Sequence, residues 1–235
     1  MRQYLTILIL ILSVSVECAA QRMQRHTVNV GHFTELNVKH SINVDYRTNP
    51  DSAGLAVFVA RPEMANAISF KNNGKGKLAV ETQLDPAQDA GIPTVTIYSR
   101  YLTKIENSGD STVRAFNVNA GPKFTATQMG NGRLSIRDIQ ADEISAKQLT
   151  GRGQLALSGE CRKASLSCAG VGAIQADNLH ADDVDISIGG PVTVGCYASG
   201  VLSVKGLGPA KIYYGGNPTA IRNRSAGPSL INIDE

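Results

Sequence analysis

The sequence predicts an all-β protein: a parallel β-helix, or β-solenoid, of about seven rungs with an N-terminal antiparallel β capping region. Two observations predict this fold. A glycine returns every 18 to 21 residues through the second half of the chain, and apolar residues alternate with polar ones on both sides of it. A repeat of about 20 residues cannot enclose a core alone, so successive repeats must stack and share one.

The repeat is marked by one glycine in each rung. Residues four and six positions after this glycine are mostly apolar, as Leu134 is after Gly130. Alternation on both sides predicts two short strands that meet at a corner, where glycine accepts a positive φ or a close backbone approach. The same count places Ile231 and Ile233 inward and Gln148 outward. The marker glycines are Gly109, Gly130, Gly151, Gly170, Gly190, Gly208 and Gly227.

The mature chain is predicted to divide into two parts that form one continuous domain. Residues 21–100 form the antiparallel capping region, and residues 101–235 form the solenoid. In the first part "HFTELNVKHSINVDYR" alternates as strands do, and a hairpin is expected around Asn73 and Gly74. The stretch "RPEMANA" predicts one helical turn that begins at its proline.

Residues 1–20 are predicted to be a signal peptide. A positive start is followed by an apolar run and by small residues up to Ala20, which is typical of a cleavage site. The mature protein then begins at Gln21 and is exported to the periplasm, the outer-membrane surface or the extracellular space. A lipoprotein acylated at Cys18 is the alternative, which Glu17 disfavours because a small residue precedes an acylated cysteine. The run is shorter than the roughly 20 apolar residues of a spanning helix, so no membrane span is predicted.

The charge of the chain argues against nucleic acid as a partner. Lys and Arg number 23, Asp and Glu number 20, and the net charge is +3. These basic residues are scattered, whereas a phosphate backbone is bound by a concentrated basic patch. The partners that remain are a glycan or another protein of the envelope or surface, and no cofactor is predicted.

Three cysteines follow the predicted signal peptide: Cys161, Cys168 and Cys196. An odd number is a poor disulfide framework even in an oxidising compartment. Cys168 and Cys196 fall on the inward parity of the repeat, so small buried hydrophobes are favoured over a bridge. No cysteine pair or Cys/His cluster has the spacing of a zinc site.

A catalytic β-helix would need carboxylates gathered on one outward face, because acid–base pairs or calcium ions perform the chemistry of that enzyme class. No outward column of this sequence places two acids on adjacent rungs. The densest acidic group is Asp182, Asp183 and Asp185, with His180 nearby. A solvated turn is favoured there over a metal or catalytic site. No catalytic residue is predicted, and the chain is expected not to be an enzyme.

The outward positions are rich in Ser and Thr, with Lys and Arg toward the C-terminal end. Hydroxyl groups on a flat β face bind the hydroxyls of a glycan, or simply keep a solenoid soluble. Tyr213 is expected to point outward near Arg222 and Arg224, and an exposed aromatic ring is a platform for a sugar. These three residues are the binding-site hypothesis.

Three parts of the sequence resemble a known family. They are "FTELNVKHSINVDYR", "YLTKIENSGDSTV" and the Gly-x-Gly rungs through "AKIYYGGNP". The chain resembles the auto-transporter adhesins with a head GIN domain, a domain of unknown function, over most of its mature length. The resemblance implies an exported β-helical envelope protein and supplies no catalytic residues. We expect a non-catalytic, adhesin-like envelope or surface protein. The alternatives are a pectinase-like carbohydrate-active enzyme and a structural or lipid-binding envelope protein.

Overall fold

The computed structural model describes residues 23–85, 87 and 91–234. The predicted signal peptide, its cleavage site and Cys18 lie outside these residues. The predicted fold is confirmed: the protein is a β-solenoid of about six turns, with 64% of the described residues in strands and 2% in helix. The count of turns differs slightly from the predicted seven rungs.

The strands of the described residues form one continuous sheet that winds around the core. No helix in these ranges combines the length and the apolar character that crossing a membrane requires. The elements in chain order are β1 Gln24–Asn29, β2 Glu35–Lys39, β3 Val44–Thr48, β4 Leu55–Ala60, α1 Pro62–Asn66, β5 Ile68–Asn72, β6 Lys77–Thr82, β7 Val95–Ser99, β8 Lys104–Ser108, β9 Thr112–Phe116, β10 Lys123–Met129, β11 Arg133–Gln148, β12 Gln154–Ala169, β13 Ala173–Gly189, β14 Thr193–Ala198, β15 Val201–Leu207, β16 Lys211–Gly215, β17 Ala220–Ala226 and β18 Ser229–Asn232.

Each level of the solenoid contains two main strands, one on either side of the corner glycine. Strands that precede the corner stack in parallel register as face A, for example β8 against β10 and β15 against β17. Strands that follow the corner stack as face B, for example β9 against β11 and β14 against β16. The long strands β11, β12 and β13 end one level on face B and begin the next on face A. Their middle segments pair as a short third face, face C.

The region 21–100 contributes both antiparallel and parallel strands. β1, β4 and β7 pair antiparallel, and β5 and β6 form the hairpin expected around Asn73 and Gly74. β2 and β3 instead join the parallel stack, with β2 between β6 and β8 and β3 between β7 and β9. The segment 35–48 therefore fills a level between two levels that follow one another in the chain.

The core lies between faces A and B, where the alternation places apolar side chains. Leu134 on β11 and Leu155 on β12 are fully buried and stack in register. Corner glycines allow the sharp turn between the faces. Gly170 has φ of +94°, a conformation that strains any residue with a Cβ. A Cβ on Gly153 would lie 2.9 Å from Cγ of Gln128 on the level before, so this glycine makes room for a neighbouring side chain.

A ladder of buried amides lines the inner side of the corner between faces A and B. Asn107, Gln128 and Gln148 stack in register and are all fully buried. Asn107 Nδ2 donates to Gln128 Oε1 and to the carbonyl of Ser111, both at 3.0 Å. The prediction that Gln148 faces outward is wrong, because its corner is one residue longer than the corner before it. Lys147 takes the outward position instead.

The last rung also departs from the predicted register by one residue. The corner after Gly227 is one residue shorter than the corner one level before, so Leu230 lies opposite the buried Ile212. Ile231 then faces outward and is 37% exposed, and Ile233 is 51% exposed. The prediction that these two isoleucines face inward is wrong, and Leu230 packs against the core in their place.

Candidate functional site

The outward side chains of face A form two columns along the solenoid axis. Hydroxyl groups occupy the middle levels, and positive charges are concentrated on the C-terminal levels. One column is Lys104, Thr125, Ser145, Ser165, Asp185, Ser203 and Arg222. The other column is Glu106, Thr127, Lys147, Ser167, Ser187, Lys205 and Arg224.

A depression of about 240 Å³ lies at the C-terminal end of face A, lined by polar side chains of both columns. Arg222 and Arg224 alternate along β17 and therefore project to the same side of the strand. On the neighbouring strand Lys205 is in register with Arg224, and Ser203 is in register with Arg222. The structure thus brings together two of the three residues of the binding-site hypothesis.

Tyr213 lies on a different surface. It belongs to β16 on face B, in register with Gly195 on one side and Ile231 on the other. Alternation within one strand predicts which side a residue faces, but it does not show which face of the solenoid carries the strand. Tyr213 therefore does not share a surface with Arg222 and Arg224.

The positive charges of the depression have no ion-pair partner among the residues that the structure describes. The acid that lines it, Asp185, pairs with Lys163 at 2.9 Å, and this hydrogen bond raises the pKa of Lys163 above its ordinary value. Within the described ranges, Lys205, Arg222 and Arg224 have no carboxylate within the 4.0 Å of an ion pair. Like charges directly opposite on neighbouring strands repel. An anion that enters the depression would relieve this repulsion.

The acidic group near His180 lies on β13 rather than in the solvated turn that the sequence favours, and its members accept hydrogen bonds from the bend at Ser199 and Gly200 on the next level. Val201 donates its backbone N–H to Asp183 Oδ1 at 3.0 Å, and Gly200 donates its own to the Asp182 carbonyl at 2.7 Å. His180 stacks on Tyr197 with ring centres 4.4 Å apart. In the part of the chain that the structure describes, no group of three or more His, Cys, Asp or Glu side chains is placed to hold a metal ion.

The three described cysteines are unpaired thiols. Cys168 and Cys196 are buried at inward positions, and burial raises their pKa to about 11 and about 12. Cys161 is half-buried in an open depression of about 660 Å³ on face C, where burial and then Asp182 raise its pKa to about 11. A thiol with so high a pKa is a weak nucleophile near neutral pH because the thiolate is the reactive form.

Face B carries a second surface that the sequence pattern did not predict. Tyr98, Arg47, Phe116 and Arg137 occupy equivalent outward positions on four successive levels. The four residues come from four different strands, β7, β3, β9 and β11, and the level that contains Arg47 is out of sequence order. An alternation pattern cannot predict this juxtaposition, because it depends on which strands are neighbours.

The fold and the polar outer faces place the protein in the class of β-solenoids that display extended surfaces. Residues 32–218 match the family described as "Putative auto-transporter adhesin, head GIN domain". The chain belongs to this family, which confirms the resemblance and indicates an adhesin-like surface protein. Neither the family description nor the names of the solved structures below denote an enzyme.

Solved structures share the fold at low sequence identity. A putative adhesin from Bacteroides fragilis NCTC 9343 has a TM-score of 0.76 at 20% identity, covering 90% of this chain and 97% of that one. A putative lipid binding protein from Parabacteroides distasonis ATCC 8503 has a TM-score of 0.67 at 18% identity, covering 90% of this chain and 96% of that one. A putative adhesin from the same organism has a TM-score of 0.64 at 15% identity, covering 90% and 97%. No curated protein matches the chain.

Proposed function

We propose that the protein is an exported, non-catalytic adhesin of the cell envelope or surface that presents face A to a glycan. The depression at the C-terminal levels of face A carries this proposal, because it combines three cations without counter-ions with the hydroxyl of Ser203. In this proposal the mature chain begins at Gln21, carries no lipid on Cys18 and needs no cofactor.

The middle levels and the C-terminal levels of face A bind different groups of the glycan. The hydroxyls of the middle levels exchange hydrogen bonds with sugar hydroxyls, and the guanidinium groups of Arg222 and Arg224 bind an acidic substituent through paired N–H groups. A flat face buries less ligand surface than a pocket, so a single site binds weakly. Repeated glycans on a surface raise the overall affinity, since linked weak sites act at a high effective concentration.

The experiment compares two double variants on surfaces coated with glycan polymers. Arg222→Gln/Arg224→Gln is expected to weaken binding to coated surfaces by roughly tenfold or more, since charge-assisted hydrogen bonds are lost. Arg152→Gln/Arg162→Gln removes the same charge from exposed positions outside face A and is expected to bind as the unmodified protein does. Thermal melts of both variants should coincide with that of the parent, because all four side chains are exposed.

Two results would overturn the proposal. Equal binding by both double variants would show that the depression does not contact the glycan. Depolymerisation of a polysaccharide by the purified protein, abolished in Asp185→Asn, would favour the pectinase-like alternative.

A lipid surface is the second candidate partner. Leu207 is 70% exposed at the end of β15, and Ile221 is 44% exposed beside Arg222. Apolar side chains next to cations bind membranes that contain anionic lipids. Cosedimentation with vesicles of anionic phospholipid, lost in Leu207→Ser, would favour this partner over a glycan. No cosedimentation is expected if face A binds a glycan.

A further inference from the structure

The outward ladder on face B alternates aromatic and cationic side chains: Tyr98, Arg47, Phe116 and Arg137. The guanidinium of Arg47 lies 4.9 Å from the centre of the Phe116 ring, and that of Arg137 lies 5.9 Å from it. Both arginines are exposed, while both rings are half-buried. Cation–π contact holds the guanidinium groups beside the ring and leaves their N–H groups available to a ligand.

The neighbouring column explains why these two arginines are available. Arg114 forms two hydrogen bonds to Asp45, from Nε at 2.7 Å and from Nη2 at 3.1 Å. This pair neutralises the acid that lies beside the ladder. Among the described residues, Arg47 and Arg137 have no carboxylate within 4.0 Å. Face B therefore presents two uncompensated guanidinium groups that flank one ring.

The ladder leads directly into a polar depression. A cavity of about 460 Å³ begins at Ser135 and Arg137 and continues over the next two levels, lined there by Ser158, Gln175 and Asp177. From Tyr98 to Asp177 the surface spans roughly 24 Å, since neighbouring strands lie about 4.8 Å apart. The ladder and the cavity follow the solenoid axis in one line, as an extended ligand would.

We propose that face B binds an acidic saccharide chain along this line. The carboxylate or sulfate groups of the chain pair with Arg47 and Arg137, because the planar guanidinium donates two parallel N–H groups to such oxyanions. Phe116 holds the two guanidinium groups in place, and sugar hydroxyls exchange hydrogen bonds with Gln175 and Asp177 in the cavity. This site is separate from the depression on face A and does not depend on it.

The test measures binding in solution with the face A variant Arg222→Gln/Arg224→Gln as the parent protein. Polygalacturonate tests the carboxylate source, dextran sulfate tests the sulfate source, and neutral dextran is the control ligand. We expect at least one acidic polymer to bind and dextran not to bind. Adding Arg47→Gln/Arg137→Gln should weaken that binding by roughly tenfold or more. Adding Arg152→Gln/Arg162→Gln should leave it unchanged, although it removes the same charge.

Further variants separate a ligand platform from a structural ladder. Arg47→Lys/Arg137→Lys keeps the charge but loses the paired N–H geometry, so it should weaken binding while the thermal midpoint stays unchanged. Oligogalacturonates of increasing length should bind more tightly until they cover the ladder and the cavity. Equal binding of dextran, or undiminished binding by Arg47→Gln/Arg137→Gln, would overturn the proposal. Neither result bears on face A, which is already disabled in the parent.

Discussion

The two ends of the solenoid are closed in different ways. At the N-terminal end, additional chain extends the stack: β4 pairs antiparallel with β7 on face B, β1 pairs antiparallel with β4, and β5 pairs antiparallel with β6 on face A. At the C-terminal end, β17 and β18 pair on one side only among the described residues. The core narrows there because two inward positions of β17 are polar: Asn223 and Ser225 lie opposite Val204 and Gly206.

The size of the buried side chains follows the same division. The fully buried aromatic side chains, Phe33, Tyr46 and Phe124, all precede residue 125, whereas fully buried leucine and isoleucine continue as far as Ile212. Farther along, the inward positions combine leucine and isoleucine with small residues such as Ala164 and Cys168, and no aromatic side chain of the described residues is fully buried there. A covered end supports a wide core, whereas an end without a cover must reduce the apolar surface that it exposes.

The difference between the two ends is tested most strongly by the same substitution, leucine to alanine, at each end. Leu36 on β2 is 1% exposed in the interposed level, whereas Leu230 on β18 is half-buried. Leu36→Ala should lower the free energy of unfolding by about 2–5 kcal/mol, because it leaves a cavity in a core closed on all sides. Leu230→Ala should cost less than about 1 kcal/mol, because water already reaches that side chain. Urea titration of both variants measures the difference, and similar costs would contradict the distinction between the ends.

The parallel solenoid could be predicted from the sequence because its cause is local and periodic. Each corner needs a glycine, and Gly130, Gly151 and Gly170 each adopt the positive φ that requires one. The interposition of β2 and β3 could not be predicted, since alternation is the same in parallel and antiparallel strands. Whether the segment 35–48 pairs with 77–99 and 104–116 is decided by long-range packing.

The candidate sites could likewise be predicted only where local alternation determines them, and not where they depend on long-range strand pairing. Arg222 and Arg224 are two positions apart on one strand, so alternation alone places them together. Tyr213 is near them in sequence but occupies the next face. Arg47 and Phe116 are 69 positions apart, the offset that also separates the paired Asp45 and Arg114. Only the register between non-consecutive levels shows that ladder.

Two positions of the amide ladder give a second comparison, with a smaller expected effect on the free energy of unfolding. Asn107 donates to three acceptors and accepts from Ser111 Oγ, whereas Gln148 Oε1 has no hydrogen-bond partner among the described residues. Asn107→Leu should cost about 1–3 kcal/mol, because it leaves buried partners unsatisfied. Gln148→Leu should change the stability by less than about 1 kcal/mol, because it loses one bond to Thr150 but removes an unpaired acceptor. Chemical denaturation of both variants decides this, and a larger cost at Gln148 would contradict it.

The smallest expected effect tests the register of the last rung. Ile231 lies opposite the outward Tyr213, and Leu230 lies opposite the buried Ile212. Ile231→Ser should therefore change the free energy of unfolding by no more than about 0.5 kcal/mol, as exposed substitutions usually do. Ile212→Ser, the same change one level earlier at a fully buried position, should cost several times more, because it leaves a cavity and buries a hydroxyl. Thermal melts of the two variants make the comparison directly. A cost at Ile231 as large as the cost at Ile212 would restore the register in which Ile231 faces the core, and would mean that the apolar stack continues to the last strand.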